Sequence, residues 1–307
     1  MVFCLLTRGI KEVIVMKKLI RTLLPLLVML CSYNFSIAQD RKKAGISQDK
    51  NSLLWEISGN GIEKPSYLYG TIHIICESDY FMKEKVNTAF SKTSKLALEL
   101  NFNDTTEMKY IQKAAMGTIP LTKKLTVSQA KKLDKILQNT AGMTLSQVDN
   151  YSMVTVMSLI AMKAGGCANI KSYEMELMAK AIAAKKSIVG LEKAQEQMDI
   201  INKALTNEEM IMMLGEMNEE LTKHMVQDYK QENIKKIYTA TTDVKMMNGE
   251  DKKLMLDNRN MNWMAKMSEM MKNESVFFAV GAGHLSGEYG VINLLRNAGY
   301  TVKPILN

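Results

Sequence analysis

The stretch Val276-Phe277-Phe278-Ala279-Val280-Gly281-Ala282-Gly283-His284 decides the fold. Its first five residues are apolar and rich in aromatic and β-branched side chains, which favours a strand covered on both faces. Gly281 and Gly283 then favour a sharp turn of the backbone, and the stretch ends at a histidine. The pattern predicts a central strand whose carboxyl end presents the imidazole of His284.

A second segment has the same form. Tyr67-Leu68-Tyr69 is followed by Gly70-Thr71-Ile72-His73, so a histidine again stands three residues after a glycine at the end of a predicted strand, 66–73. Open α/β sheets bind ligands outside the carboxyl ends of their strands. We therefore expect His73 and His284 to meet in one crevice.

Short strand patterns alternate with long helical patterns along the rest of the chain. Alternation of this kind predicts an α/β fold with a mixed, mainly parallel sheet, and the long helical stretches predict large helical insertions. The other predicted strands are 53–57, 96–100, 187–192 and 300–306. The predicted helices are 81–94, 127–139, 146–164, 173–185, 207–237, 251–272 and 289–298.

Two of the predicted strands end in a carboxylate, at Glu99 and Glu192. Two imidazoles and a carboxylate form a common ligand set for a hydrolytic metal site, so His73, His284 and Glu99 are the predicted ligands of a divalent ion such as Mn²⁺, Co²⁺ or Zn²⁺. Glu192 is then the candidate general base. The structural alternatives are a solvated strand end for Glu99 and a helix cap for Glu192.

Arg259 stands in an unusually polar entry to a predicted helix, Asp257-Asn258-Arg259-Asn260. Its guanidinium could hold a substrate carboxylate or a site glutamate through two parallel hydrogen bonds, and we include Arg259 among the candidate catalytic residues. The alternative is a salt bridge on the surface. The third histidine, His224, lies in a charged segment and is interpreted as an exposed helix residue.

The amino terminus has the pattern of a cleaved signal peptide over residues 1–38. Met16-Lys17-Lys18 and Arg21 precede an apolar run, and Ser36-Ile37-Ala38 offers a cleavage site. Met16 is a better candidate for the initiator methionine than Met1, so residues 1–15 are interpreted as an over-long start of the sequence. A polar lead-in, 39–51, would precede one folded domain, 52–307. The residues before Cys31 are too large for lipid attachment, so we expect export to the periplasm or the extracellular space rather than a lipoprotein.

Charge and cysteine content agree with an exported protein. The net charge of +8 falls to 35 basic against 31 acidic residues once 1–38 are removed, which is too little to indicate nucleic-acid binding. No stretch of the mature chain is long and apolar enough to predict a membrane span. Cys76 and Cys167 would remain, and an oxidising compartment favours a disulfide between them over two free thiols.

The chain contains 26 methionines. Met261, Met264, Met267 and Met270 recur at helical spacing, which is typical of a flexible apolar packing face. Thioethers also bind Cu(I), and that is the alternative interpretation.

Several motifs together resemble the TraB/GumN family, which includes the TIKI proteases. The resemblance spans about residues 52–306. It is carried by Leu68-Tyr69-Gly70-Thr71-Ile72-His73, Ala97-Leu98-Glu99-Leu100, Gly190-Leu191-Glu192-Lys193, Arg259-Asn260-x-x-Trp263 and Val280-Gly281-Ala282-Gly283-His284-Leu285. It implies an erythromycin-esterase-like fold and a metal-dependent protease that uses His73, His284 and Glu99, with Arg259 in support. Asn101 and Lys193 depart from the aspartate and the threonine that are usual in the family.

Three functions are compatible with these patterns. The leading hypothesis is an exported metal-dependent hydrolase, TIKI-like and acting on a peptide or protein. A second is an esterase in which His73 and Glu99 activate water without a metal. A third is a binding protein that sequesters a secreted peptide, as pheromone inhibitors of the family are thought to do, so the resemblance alone does not establish an enzyme. The sequence does not define the oligomeric state.

Overall fold

The computed structural model describes residues 51–306. Six of its strands form one mixed sheet, in the order β6-β4-β7-β2-β1-β8, and the other two form a small antiparallel sheet, β3-β5. The strands are β1 (Leu54–Ser58), β2 (Ser66–Thr71), β3 (Ile75–Cys76), β4 (Lys95–Leu98), β5 (Ile170–Lys171), β6 (Ser187–Gly190), β7 (Val276–Gly281) and β8 (Thr301–Pro304). The predicted α/β class and all six predicted strands are confirmed.

Helices lie between these strands and fill two long insertions, between β4 and β6 and between β6 and β7. The α-helices are α1 (Glu84–Ser91), α2 (Thr105–Ala114), α3 (Leu121–Lys124), α4 (Val127–Ala141), α5 (Leu145–Val148), α6 (Met153–Ala164), α7 (Tyr173–Ala183), α8 (Ala194–Ala204), α9 (Asn207–Glu216), α10 (Glu219–Lys230), α11 (Ile234–Thr241), α12 (Gly249–Lys252), α13 (Asn258–Asn273) and α14 (Val291–Asn297). A π-helix, Lys253–Asp257, joins α12 to α13, and a 3₁₀ turn, Ala282–His284, follows β7.

The four strands β6, β4, β7 and β2 run parallel and are consecutive in the sheet. Their carboxyl ends therefore lie along one edge, where they lead in order to Glu192, Glu99, His284 and His73. Strands β2 and β7 are direct neighbours, with Thr71 paired to Gly281. This register brings the two Gly-x-x-His segments together.

The central strands are buried along their whole length. Every residue of β2 and of β7 is buried, as expected for apolar strands covered by helices on both faces. β1 and β2 are antiparallel, and the connection between them contains a tight turn in which Gly59, Asn60 and Gly61 all have positive φ.

The helix predicted over 207–237 is three helices. Its apolar periodicity continues throughout, but the Asn218 side chain accepts a hydrogen bond from the backbone N–H of Leu221, and that of Asn233 accepts one from Lys236, so each asparagine begins a new helix. Glu232, with φ of 56°, turns the chain out of α10. The predicted helix 146–164 is likewise divided, because the Ser152 hydroxyl caps α6.

Two apolar clusters support the fold, one around the six-stranded sheet and one made by residues of both helical insertions, among them Leu133, Val156 and Leu214. A disulfide joins Cys76 in β3 to Cys167 just before β5, with their Cα atoms 5.8 Å apart. The favoured pairing of these cysteines is thereby confirmed.

The predicted signal peptide, 1–38, and all but the last residue of the predicted lead-in, 39–51, lie outside the described residues. Within residues 51–306, no helix combines the length and the apolar character that crossing a membrane requires.

Candidate functional site

Glycine in both motifs lets the strand ends pack so closely that a side chain there would displace its neighbours. A Cβ atom on Gly281 would lie 3.2 Å from Nε2 of His73 and 3.3 Å from Oε1 of Glu99. A Cβ on Gly70 would lie 2.6 Å from Cδ1 of Leu285. The two glycines thus allow β2, β4 and β7 to bring their polar residues into contact.

His73 is oriented by a carboxylate on a distant helix. Its Nδ1 lies 2.9 Å from Oε1 of Glu174, in the first turn of α7, and Glu174 also accepts hydrogen bonds from the hydroxyls of Thr71 and Ser172. An ionised carboxylate only accepts, so Nδ1 of His73 carries the proton and donates. Nε2 is therefore the free edge of the ring and faces Gly281 and Glu99.

The charge of His73 follows from the same contacts. Burial acts to lower its pKa, but the hydrogen bond and charge of Glu174, with the charge of Glu99, outweigh burial and raise the pKa to about 9. The ring sits among other groups of the crevice while 61% of its side-chain surface stays accessible, so solvent screening moderates this shift. Glu174 therefore favours the protonated form of His73.

His284 is neutral and buried. Asn260 uses its amide N–H groups on the backbone oxygens of Tyr289 and His284, so its Oδ1 accepts the hydrogen bond from Nδ1–H of His284 at 2.6 Å. Nε2 of His284 then accepts from Nη1 of Arg259 at 3.3 Å. Burial, together with the charges of Arg259 and His73, lowers the pKa of His284 to about 3, despite the opposing charge of Glu99.

Glu99 is at the centre of the group. Its Oε1 accepts the backbone N–H of Gly281 at 2.7 Å and lies 3.9 Å from Nε2 of His284, and its Oε2 accepts from Nη2 of Arg259 at 2.6 Å. Burial acts to raise the pKa of Glu99, but the nearby Arg259 and histidine charges and the Gly281 N–H hold it far below the usual range. Glu99 is therefore a buried carboxylate anion.

Arg259 links the two glutamates. Its Nε donates to both carboxylate oxygens of Glu192 at 3.1 Å, and its Nη2 donates to Glu192 as well as to Glu99. Arg259 is 6% exposed. It therefore holds the two site glutamates and does not form the surface salt bridge that was the alternative. The π-helix before α13 contributes the carbonyl of Met255, to which Nη1 donates; π-bulges often occur at functional sites.

The structure thus places all five predicted site residues in one group. Glu192, however, faces the guanidinium of Arg259 and the amide of Gln197, which gives it a positioning contact. A role as general base for Glu192 stays a prediction. His224 lies apart on α10 with 68% of its side chain exposed.

Two residues of the site had no role assigned from sequence. Asn260 belongs to the same polar helix entry as Arg259, so the sequence pattern marks this position but does not indicate its role. Glu174 gave no signal, because its stretch Ser172-Tyr173-Glu174 reads as an ordinary helix start.

A cavity of about 290 Å³ opens over this group. His73, Arg259, Gly281 and His284 form its reactive side. The opposite side comes from the second helical insertion and is largely apolar. The cavity therefore offers a ligand a polar floor and an apolar wall.

The predicted metal ligands fit a divalent ion in kind, and each imidazole has Nδ1 engaged by an acceptor, so Nε2 is the nitrogen that a metal would bind. His73 would first have to lose its Nε2 proton. Their spacing in this arrangement does not fit: within residues 51–306, no group of three or more His, Cys, Asp or Glu side chains lies close enough to hold a metal ion. The guanidinium of Arg259 stands against Nε2 of His284 and Oε2 of Glu99. An ion bound by both histidines and Glu99 would require Arg259 to give way.

The fold and the strand-end residues place the protein in a class of α/β proteins in which two Gly-x-x-His motifs meet at the carboxyl ends of parallel strands. The model of the TraB/PrgY/gumN family matches residues 53–304, and the chain belongs to this family. Comparisons with curated proteins and with solved structures find no match to the chain.

Proposed function

We propose that the protein is an exported hydrolase that cleaves peptide bonds in the crevice between His73 and His284. One observation carries the proposal: both imidazoles are anchored through Nδ1, by Glu174 and by Asn260, and turn Nε2 toward the same carboxylate, Glu99. Structural histidines have no need of such paired orientation, whereas proton transfer and ligand binding both depend on a defined free nitrogen.

The electrostatics support acyl chemistry. A substrate carbonyl in the cavity would lie near Arg259, whose fixed charge could stabilise the negative charge that develops on the carbonyl oxygen. Glu192 would keep the guanidinium beside the crevice, because Nε of Arg259 donates to both of its carboxylate oxygens.

A divalent ion belongs to the proposal. His73, His284 and Glu99 would hold it once His73 has lost its Nε2 proton and Arg259 has moved away from Nε2 of His284. When bound, it would supply a water of lowered pKa for attack on the carbonyl. The test is a peptidase screen on purified protein, first stripped of metal and then supplied separately with Mn²⁺, Co²⁺ or Zn²⁺. We expect the wild type to cleave peptides, and we expect His73→Ala and His284→Ala to lose this activity.

His224→Ala is the matched control, because it removes the third histidine from an exposed helix face and should leave cleavage unchanged. Absence of cleavage under every metal condition, from a protein shown to be folded, would rule the hydrolase out.

Peptide capture without cleavage is the second candidate. The apolar wall of the cavity favours it, since it could hold a peptide with no reaction at the floor. Binding that survives in His73→Ala, with no cleavage by the wild type, would support capture.

A further inference from the structure

We infer that a wall of methionines in the crevice selects an uncharged, apolar side chain next to the bond that is cleaved. Met225, Met247 and Met255 form this methionine wall. The inference rests on the proposed function, because it assigns the substrate class of the same site, but its binding test is independent of catalysis.

The three methionines reach the cavity from three separate elements. Met225 lies on α10, Met247 on the segment between α11 and α12, and Met255 on the π-helix that positions Arg259. All three are half-buried, and Met255 also packs against the second apolar cluster. Thioether side chains are flexible and polarisable, and a surface made of them adapts to apolar groups of different shape.

The charges around the cavity exclude a charged side chain at the methionine wall. Among the residues that line the cavity, His73 and Arg259 lie at the reactive floor, and Arg259 is already paired with Glu99 and Glu192. Asp228, the acidic residue of the lining, has Nζ of Lys236 3.5 Å away. A charged substrate side chain would lose hydration there without gaining an unpaired counter-charge, which is unfavourable.

The size of the cavity limits what it can select. About 290 Å³ lies at the lower end of the range for small-molecule sites, roughly 300–1,000 Å³. The cavity therefore suits one large side chain and its adjoining peptide bond rather than a long segment. Because methionines adapt, leucine, methionine and phenylalanine should all be accepted, whereas aspartate and lysine should be rejected.

The test uses peptides that differ only at the residue beside the central bond, which is leucine, methionine, phenylalanine, alanine, aspartate or lysine. A fluorescence-quenched set reports cleavage, and a fluorescent set N-methylated at the central bond reports binding alone. We expect the wild type to favour leucine, methionine and phenylalanine over aspartate and lysine by tenfold or more in either measurement. Met247→Asp should reverse the order of leucine and lysine, and Met225→Asp is a second variant should the first not fold.

Met212→Asp is the matched control, since Met212 is 54% exposed on α9 and does not line the cavity; it should keep the wild-type preference. Selective binding without cleavage would uphold the methionine wall and reject the hydrolase. Equal treatment of all peptides, absence of any binding, or a Met247→Asp preference identical to that of Met212→Asp would overturn the inference.

Discussion

Nδ1 of His73 lies 2.9 Å from Oε1 of Glu174, a residue 101 positions further along the chain. This contact fixes the tautomer of His73 and leaves Nε2 toward Glu99. The strand-end histidine therefore depends on a helix in the first insertion, which the strand-end motif alone does not include.

Glu174→Gln should lower the pKa of His73, because the amide oxygen can still accept the hydrogen bond from Nδ1–H but carries no charge to stabilise the imidazolium. Activity should fall about 10- to 100-fold, the usual effect of removing a carboxylate that orients a functional histidine. NMR titration of the His73 ring measures the pKa. Glu176→Gln, on the same helix and paired with Lys171, is the control. An unchanged His73 pKa would show that Glu174 has no electrostatic role.

Arg259→Gln should raise the affinity for a divalent ion. The guanidinium now donates to Nε2 of His284 and to Oε2 of Glu99, and its removal frees both atoms and leaves two uncompensated carboxylates. We expect Mn²⁺ or Zn²⁺ to bind about tenfold more tightly or better, measured by isothermal titration calorimetry. Loss of the buried pair should also destabilise the apo protein by about 3–5 kcal/mol. Affinity equal to that of the wild type would mean that Arg259 and a metal do not compete.

Reduction of the Cys76–Cys167 disulfide should destabilise the fold and the site together. The bond closes a separation of 91 residues and joins β3, which follows His73, to the segment before β5 and Glu174. Removing such a bond costs about 2–5 kcal/mol. Chemical denaturation of Cys76→Ser/Cys167→Ser against the wild type, each with and without reductant, measures the loss. If reductant destabilised the double variant as much as the wild type, the loss of stability would not come from this disulfide.

The sequence could predict the strand-end part of the site because its signals are local. Apolar runs that stop at Gly70 and Gly281 define buried strands, and parallel packing then places His73 and His284 at one edge. The same reasoning predicts that Glu99 and Glu192 lie at neighbouring strand ends. The backbone N–H of Glu192 indeed donates to the backbone oxygen of Glu99 at 3.0 Å.

The contact between Glu174 and His73 could not be predicted. Glu174 reaches His73 through the small β3-β5 sheet, and two-residue strands leave no readable pattern. The methionines show the same limit. Met267 is fully buried, as the packing-face interpretation predicts, but Met261 on the same helix is 42% exposed, against that interpretation. Met225, Met247 and Met255 line a cavity, and helical spacing does not distinguish these outcomes.

Gly281→Ala should abolish activity with only a modest loss of stability. Its methyl group would fall 3.2 Å from Nε2 of His73 and 3.3 Å from Oε1 of Glu99, so it would displace side chains at the floor of the crevice rather than the sheet. Gly283→Ala is the control, because its methyl group would instead meet the side chain of Thr241 at 3.1 Å. Peptide cleavage and thermal unfolding of both variants measure the difference. Equal activity of Gly281→Ala and Gly283→Ala would show that the close packing of Gly281 against His73 and Glu99 is not essential.

Glu232 should make the stability of the protein sensitive to acid. It is buried and accepts from Nζ of Lys83 at 2.9 Å and from Nζ of Lys85 at 2.6 Å. Burial acts to raise its pKa, but these two lysines outweigh burial and lower it.

A depressed folded-state pKa stabilises the protein above the unfolded value of about 4.3, and this contribution is lost as the pH falls through the folded-state pKa. Glu232→Gln should therefore be destabilised by about 1–3 kcal/mol at pH 7. The difference from wild type should shrink as the pH falls below about 4. Urea unfolding of both proteins at a series of pH values measures it, with Glu219→Gln, on an exposed helix face, as control. A difference that stays constant with pH would show that the charge of Glu232 does not stabilise the fold.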